Sequence, residues 1–317
     1  MSFKKWLMIS IVQLCFTKMF VHGFSGMDFN TLDDWPGSGL NSGRIWDIGV
    51  AWNAIHLSPG VYDFSNLDAV VSNYESLGAS ITYVVGGTPQ WLAKYPDNPY
   101  YAPWLGPGSN SMPYDTGEFN NFIAELAKRY GGRIQAYEIW NEPQLAEFLY
   151  PYEGSELNCL ATMTQMAYNT IKSISGAKVL AASVLPRASS GGMQKASKYL
   201  SALQDKGWNV DAFNTHIYPE DGQGPDVWGA MLQDCRDTLA SMGAPTGEVW
   251  VTETNFNYPS GPRISEEDAP AFVNGAFDQA GAQGVSVIYW YAWNRADLGG
   301  LLFTQTSTAW STVVAHS

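Results

Sequence analysis

Two stretches of the chain hold carboxylates where a carboxylate needs a reason to be. Residues 137–144 read YEIWNEPQ and carry Glu138 and Glu142, with a proline directly after the second; residues 249–255 read VWVTETN and carry Glu253. The surroundings are apolar and strand-like, and a carboxylate buried in such a run is costly unless something pairs with it. Two carboxylates brought to one mouth can divide the work of cleaving a glycosidic bond. One, kept protonated by its surroundings, gives a proton to the leaving oxygen; the other, ionised, attacks the anomeric carbon. The sequence has 30 Asp and Glu, so spacing by itself is a weak signal, and the pairing has to come from the elements that carry these residues.

The hydrophobic period supplies those elements. Short β-rich runs at 24–29, 44–49, 80–85, 134–140, 178–182, 212–217, 248–252 and 286–291 alternate with amphipathic segments. In the helical segment 118–130, Phe119, Phe122, Ile123, Leu126 and Tyr130 recur at three- and four-residue steps, with Asp115 and Glu118 spaced as a capping box. A second helical stripe, Leu157, Leu160, Met163, Met166, Ala167 and Ile171, lies in 157–174. Strands separated by helices imply right-handed crossovers and a parallel sheet. At 317 residues the length suits one closed sheet of this kind, so the expected fold is α/β, a single (β/α)8 TIM barrel, with its chemistry at the C-terminal ends of the strands.

On that rim Glu142 follows strand 4 and Glu253 follows strand 7, facing each other across the ring. Glu138 lies four residues below Glu142, roughly 13 Å down an extended strand, so it reads as an internal carboxylate that needs a partner such as Arg44 or a hydroxyl. His216 and Tyr218, in HIYP at the end of strand 6, lie beside strand 7 and are placed to hydrogen-bond Glu253 or a sugar. Trp46 and Asp47 follow Arg44 and are expected at the same mouth. The connection 86–115 carries Trp91, Tyr95, Tyr100, Tyr101, Trp104 and Tyr114 among prolines and glycines, and connections that long are commonly functional. Within it Trp91 is either a stacking platform or a loop anchor packed on the barrel. Two shorter rim connections, 218–225 and the aromatic 255–263, complete this face.

These stretches resemble the clan A glycoside hydrolases, barrels with catalytic glutamates on strands 4 and 7, and within the clan the family 39-related members. The resemblance is carried by RIWDIGVAWNAIHLSPGVYDFSNLD at 44–68, GGTPQWL at 86–92, RYGGRIQAYEIWNEPQ at 129–144, NTHIYP at 214–219 and VWVTETN at 249–255. It implies Glu142 as acid/base and Glu253 as nucleophile of a retaining double displacement. It also implies that Asn141 hydrogen-bonds the 2-hydroxyl of the reacting sugar and that Arg44 lies beside the nucleophile. The clan commonly places a tryptophan under the sugar after strand 8, here Trp290 or Trp293, with one of the two in the core and Trp293 the expected exposed one. Asp28 closes strand 1, where some relatives have His.

The remaining features bound the reading. Lys and Arg number 17 against 30 Asp and Glu, a formal charge of -13 that repels phosphate backbones and argues against nucleic acid. The start, MSFKKWLMISIVQLCFTKMFVHG, has the shape of a secretory leader over residues 1–23, and no other run is apolar enough to span a membrane. Cys159 and Cys235 remain beyond it, as a disulfide or as two separate thiols. The histidines, His22, His56, His216 and His316, lack metal-ligand spacing, and no glycine loop for phosphate is present, so neither metal nor cofactor is expected. The chain ends about one helix after strand 8, leaving no room for the β-sandwich that family 39 xylosidases and iduronidases append. The expectation is therefore a secreted, monomeric, single-domain enzyme over 24–317, endo-acting on β-linked oligo- or polysaccharide. An exo-acting β-xylosidase and a non-catalytic carbohydrate-binding barrel are the alternatives.

Overall fold

The computed structural model describes residues 17–22, 42–245, 247–285 and 287–316. Eight parallel strands form its main sheet: β1 (Thr17–His22), β2 (Ser42–Ile45), β3 (Ser80–Val85), β4 (Ala136–Ile139), β5 (Lys178–Leu180), β6 (Phe213–Ile217), β7 (Val249–Thr254) and β8 (Val287–Tyr291). Each pairs with its neighbour in sequence, and β1 pairs with β8 from Thr17↔Val287 to Val21↔Tyr291. The seam between β5 and β6 is joined by parallel bridges at Leu180↔Ala212 and Val184↔Thr215, which close the ring. Helices α1 (Ser65–Ser76), α2 (Thr116–Tyr130), α3 (Gly154–Ile174), α4 (Gly192–Asp205), α5 (Pro225–Ser241), α6 (Ala269–Ala282) and α7 (Thr308–Ala315) follow β2 to β8 in turn. The architecture is the TIM barrel expected from the alternating period.

The helices are held by their apolar faces. In α2, Phe119, Phe122, Ile123, Leu126, Ala127 and Tyr130 are all buried, and each large apolar side chain removed from water contributes about 1.5–3 kcal/mol. Helix propensity is a small addition to that. Asp115 caps α2 by accepting from Gly117 N at 2.8 Å, while Glu118, its expected reciprocal partner, instead stands 3.6 Å from His56 Nε2.

Inside the ring the side chains form layers. Ala136, Leu180, Ala212, Trp250, Val287 and Tyr289 plug one end. Above them Tyr289 Oη donates to Thr82 Oγ1 at 2.5 Å, and Asn214 Nδ2 donates to Thr252 Oγ1 at 3.1 Å. Charged groups occupy the layer nearest the mouth, described below.

Several boundaries differ from the sequence reading. The expected first strand, 24–29, and Asp28 lie outside the described residues, as does most of the expected leader. The strand beside β2 and β8 is Thr17–His22, which falls inside the stretch read as a leader. β2 stops at Ile45, short of Gly49, because Trp46 leaves the sheet to cover the mouth. A Cβ on Gly86 would stand 2.8 Å from Trp46 Cζ3, so the glycine at the exit of β3 makes that position possible. Cys159 and Cys235 are both free thiols.

Candidate active site

The rim ends of β4 and β7 do not continue as regular strands. After Ile139 the backbone enters the left-handed region at Trp140 (φ 80°) and again at Glu142 (φ 37°). Such conformations cost about 1–3 kcal/mol each for non-glycine residues and persist only where the surroundings fix them. Here they are fixed. Trp140 N pairs with Val85 O at 2.9 Å, Trp140 Nε1 donates to Phe148 O at 2.8 Å, and Glu142 N donates to Ser183 Oγ at 3.1 Å. The Gln144 amide bridges Leu185 O and Gly192 O, 3.0 Å each, and accepts from Leu185 N at 2.7 Å. The result turns Trp140 outward into the core and Asn141 and Glu142 toward the mouth.

β7 reaches the same end by an extra residue. Its register slips against both neighbours: Thr215 and His216 of β6 pair with Val251 and Glu253, and Ile288 and Trp290 of β8 pair with Val251 and Thr254. Strict alternation with Thr252 pointing inward would send Glu253 out to the helices. The bulge re-aims it into the barrel, the usual effect of an inserted residue next to an active site.

Arg44, fully buried on β2, organises the acids. It forks Glu138 with Nε to Oε2 at 2.8 Å and Nη2 to Oε1 at 2.7 Å, donates to Asn141 Oδ1 at 2.7 Å, and reaches Glu253 Oε1 with Nη1 at 2.6 Å. Glu138 thus has the internal partner its depth required. Tyr218 Oη donates to the other oxygen of Glu253 at 2.7 Å. His216 Nδ1 lies 2.6 Å from Glu142 Oε1 and 3.4 Å from Glu253 Oε2, with Nε2 3.1 Å from Thr252 Oγ1. Burial lowers the His216 pKa to about 4, so the ring is neutral near pH 7. A neutral ring protonated on Nε2 donates to Thr252 and accepts at Nδ1 from a protonated Glu142.

The two mouth glutamates are treated differently by this environment. Burial pushes Glu142 up to about 7 against the more distant attraction of Arg44 and Arg187. Burial also raises Glu253, but the charge of Arg44 and the Tyr218 hydroxyl bond directly to it and favour its ionised form. Glu142 is the better proton carrier and Glu253 the better anion. Donor atoms of Glu142, His216 and Glu253 lie within 4.8 Å of one another, a grouping the histidine spacing gave no hint of. The Arg44 guanidinium is the cation bonded to this group, through Glu253.

A cleft of about 310 Å³ opens over these groups, lined among others by Trp46, Asp47, Trp104, Asn141, Glu142, Tyr218, Glu253 and Tyr291. Of the residues singled out in the sequence, Arg44, Trp46, Asn141, Glu142, His216, Tyr218 and Glu253 come together here. Three do not. Trp91 anchors its loop on the barrel's outer side, donating Nε1 to His56 O at 3.0 Å with its ring edge-on to His56. Trp290 points outward from β8 into the helical layer, against Phe277 and Phe303. Trp293 is buried against Trp310. Alternation explains the miss on β8. Tyr289 faces inward, so Trp290 faces out and Tyr291, joined to Ala292 by a cis peptide, meets the cleft. Tyr258 stacks on Tyr218 at 4.6 Å and meets Tyr291 edge-on at 5.3 Å. Arg187 and Arg295 follow β5 and β8 on the rim, positions the barrel rule alone would have nominated.

The glycosyl hydrolase catalytic core family matches residues 111–307, from the long connection after β3 to the start of α7. Curated protein sequences gave no match. Among solved structures, a family 39 glycoside hydrolase from the gut symbiont Bacteroides cellulosilyticus WH2 superposes with a TM-score of 0.65 at 17% identity, over 95% of this chain and 63% of that one. A monomeric β-xylosidase from Caulobacter crescentus CB15 gives 0.67 at 17% identity over 95% and 67% of the two chains. Xylanase 10B from Thermotoga maritima gives 0.64 at 14% identity over 96% and 95%. The chain spans less than two thirds of the Bacteroides protein and nearly the whole length of the xylanase. At these identities the likeness is one of fold. With a family match across most of the barrel and the strand 4 and strand 7 glutamates gathered at its mouth, the chain belongs to the glycosyl hydrolase catalytic core family.

Proposed function

We propose that the protein is a retaining β-glycosidase acting on an oligo- or polysaccharide, with Glu253 as nucleophile and Glu142 as acid/base. The observation that carries this reading is the carboxylate pair itself: oxygens of Glu142 and Glu253 lie within 4.8 Å, one held by Arg44 and Tyr218, the other with its proton affinity raised by burial to about 7. Retaining enzymes bring their carboxyl groups to about 5–5.5 Å, whereas inverting enzymes leave about 6.5–9.5 Å for a water. Glu253 attacks the anomeric carbon and forms a glycosyl-enzyme bond as Glu142 passes its proton to the leaving oxygen. Glu142 then takes a proton from the water that releases the sugar. Asn141, oriented by Arg44, is placed to bond the 2-hydroxyl as charge develops beside it.

Endo action on a polymer is supported by a cleft walled with Trp46 and Trp104, their rings edge to face at 5.0 Å, beside the long aromatic connection. Hydrolysis of a panel of aryl glycosides and polysaccharides, compared with Glu253→Ala, tests the assignment, with the anomer of the first product read by NMR. A wild type no faster than Glu253→Ala on every substrate would leave a carbohydrate-binding barrel. Release of single xylose units only would mean an exo-acting β-xylosidase, and an inverted first product would remove the double displacement. Secretion is an accompanying proposal, supported by the leader-like start; recovery of the protein from the medium would support it and recovery from cells alone would overturn it. The N-terminal residue then locates any cut, because one after Gly23 would take Thr17–His22 out of the sheet. A monomeric state is proposed separately and is tested by sedimentation.

A further inference from the structure

A second groove lies outside the catalytic cleft, on the same two connections. It has a volume of about 580 Å³ and is lined by Tyr95, Asn98, Tyr100, Tyr150 and neighbouring prolines. The three tyrosines are 37%, 54% and 39% exposed, unusual for rings of that size, and Tyr100 and Tyr150 lie 4.8 Å apart at 48°. Asn98 supplies an independent observation. It is only 7% exposed, and its Oδ1 accepts from Tyr100 N at 3.0 Å. That bond fixes the orientation of the amide and leaves Nδ2, buried just beneath the groove surface, without a partner among the described residues, so that a ligand oxygen reaches it by a small side-chain shift. A buried donor without an acceptor is costly, and one set among exposed aromatic rings marks a place where a ligand oxygen completes the set.

Lys94 and Asp97 also line the groove; the exposed Asp97 carboxylate can accept from sugar hydroxyls, and the Lys94 charge is already met. Lys94, at the groove edge, is already paired with Glu156 and lies over the Tyr95 ring at 5.2 Å. The groove also continues the cleft: Tyr100 and Tyr150 line the one, Trp104, Glu147 and Phe148 line the other, and Ala102 N donates to Glu147 O at 3.2 Å between them. We propose that this groove is a second glycan-binding site. It takes a neutral stretch of polysaccharide whose sugar faces pack on Tyr95, Tyr100 and Tyr150 and one of whose hydroxyls accepts from Asn98 Nδ2. The proposal rests on the carbohydrate reading of the protein but not on catalysis at the cleft.

The test is affinity electrophoresis of the Glu253→Ala protein through gels containing xylan, a β-1,4-glucan or a β-1,3-glucan. Adding Tyr100→Ala and Tyr150→Ala should weaken retention about tenfold or more on the polysaccharide that retains the parent. Asn98→Asp, which keeps the acceptor for Tyr100 N and removes the donor, should give a smaller loss. In the active chain the same substitutions should leave turnover of a small aryl glycoside unchanged, which also shows that the variants are folded. Unchanged retention in both variants overturns the proposal. So does retention on an immobilised proline-rich peptide that the substitutions abolish, with no polysaccharide retaining the parent. If wild type hydrolyses nothing while retention still depends on Tyr100 and Tyr150, the catalytic reading falls and this one stands; hydrolysis with unaffected retention is the reverse.

Discussion

Arg44 and Glu253, 209 residues apart in sequence, are joined by a 2.6 Å hydrogen bond in which the guanidinium Nη1 donates to a carboxylate oxygen. The remaining donors of the same group fork Glu138 and hold Asn141. One buried cation therefore holds two buried carboxylates and orients a third polar group. Arg44→Met should leave Glu138 and Glu253 without their counter-charge. Removing one partner of a buried pair typically costs about 3–5 kcal/mol, and chemical denaturation would register it. A variant as stable as wild type would show that the fork contributes no stability.

Glu142→Gln keeps the shape of the acid and removes its proton. Cleavage of substrates with poor leaving groups should fall by orders of magnitude, while activated aryl glycosides, whose leaving groups need little protonation, should lose far less in their first step. Stopped-flow measurement of the first turnover separates the two. Equal losses on both substrate types would remove Glu142 from the acid role.

The pH profile should be a bell on the acid side of neutrality. The basic limb follows loss of the Glu142 proton at about 7, and the acidic limb follows protonation of Glu253, itself raised by burial. Stability has its own pH dependence. Glu142 and Asp47, both pushed up to about 7, chiefly by burial, bind protons more tightly folded than unfolded, so their contribution is complete at low pH and is lost as pH rises through 7. His216 and His56, lowered to about 4 by burial, act in the opposite sense between about 4 and 6.5. The two pairs offset one another over that interval, leaving a net fall in Tm as pH rises through 7. Thermal scans across pH would show it, and Glu142→Gln should flatten it.

Tyr218→Phe removes the hydroxyl that donates to Glu253 Oε2. Hydrogen bonds to charged groups are worth about 1.5–3 kcal/mol, so kcat should fall roughly 10- to 100-fold. The acidic limb should also move to higher pH, because the ionised carboxylate has lost a donor. A fall in kcat with an unmoved acidic limb would mean that Tyr218 acts on the sugar and not on Glu253.

On β8 the consequences of substitution should alternate with the strand. Trp290→Ala opens the core between Phe277 and Phe303 and should cost about 3–5 kcal/mol with KM unchanged in the folded protein. Tyr291→Ala, at the cleft, should raise KM with little change in Tm. Steady-state kinetics and denaturation on the two variants would expose any exchange of these roles.

The hydrophobic period determined the strands from β2 to β8 and the helices between them, and hence the rim on which Glu142 and Glu253 stand; the first strand, Thr17–His22, lay hidden in a stretch whose apolar run reads equally well as a leader. The charge of a buried carboxylate determined that Glu138 needs a partner, a cation or a hydroxyl, and the structure supplies Arg44. The aim of individual side chains was not legible. Glu253 faces the mouth because β7 carries one residue more than both neighbours, and Glu142 because Trp140 and Glu142 adopt left-handed backbone; both departures are held by contacts from other strands. The same limit explains Trp91, Trp290 and Trp293, which share composition and rim position with true cleft residues but turn toward the core. A strand's sequence sets which residues alternate, but only its neighbours' hydrogen bonds set where the alternation breaks, and catalytic groups stand at such breaks.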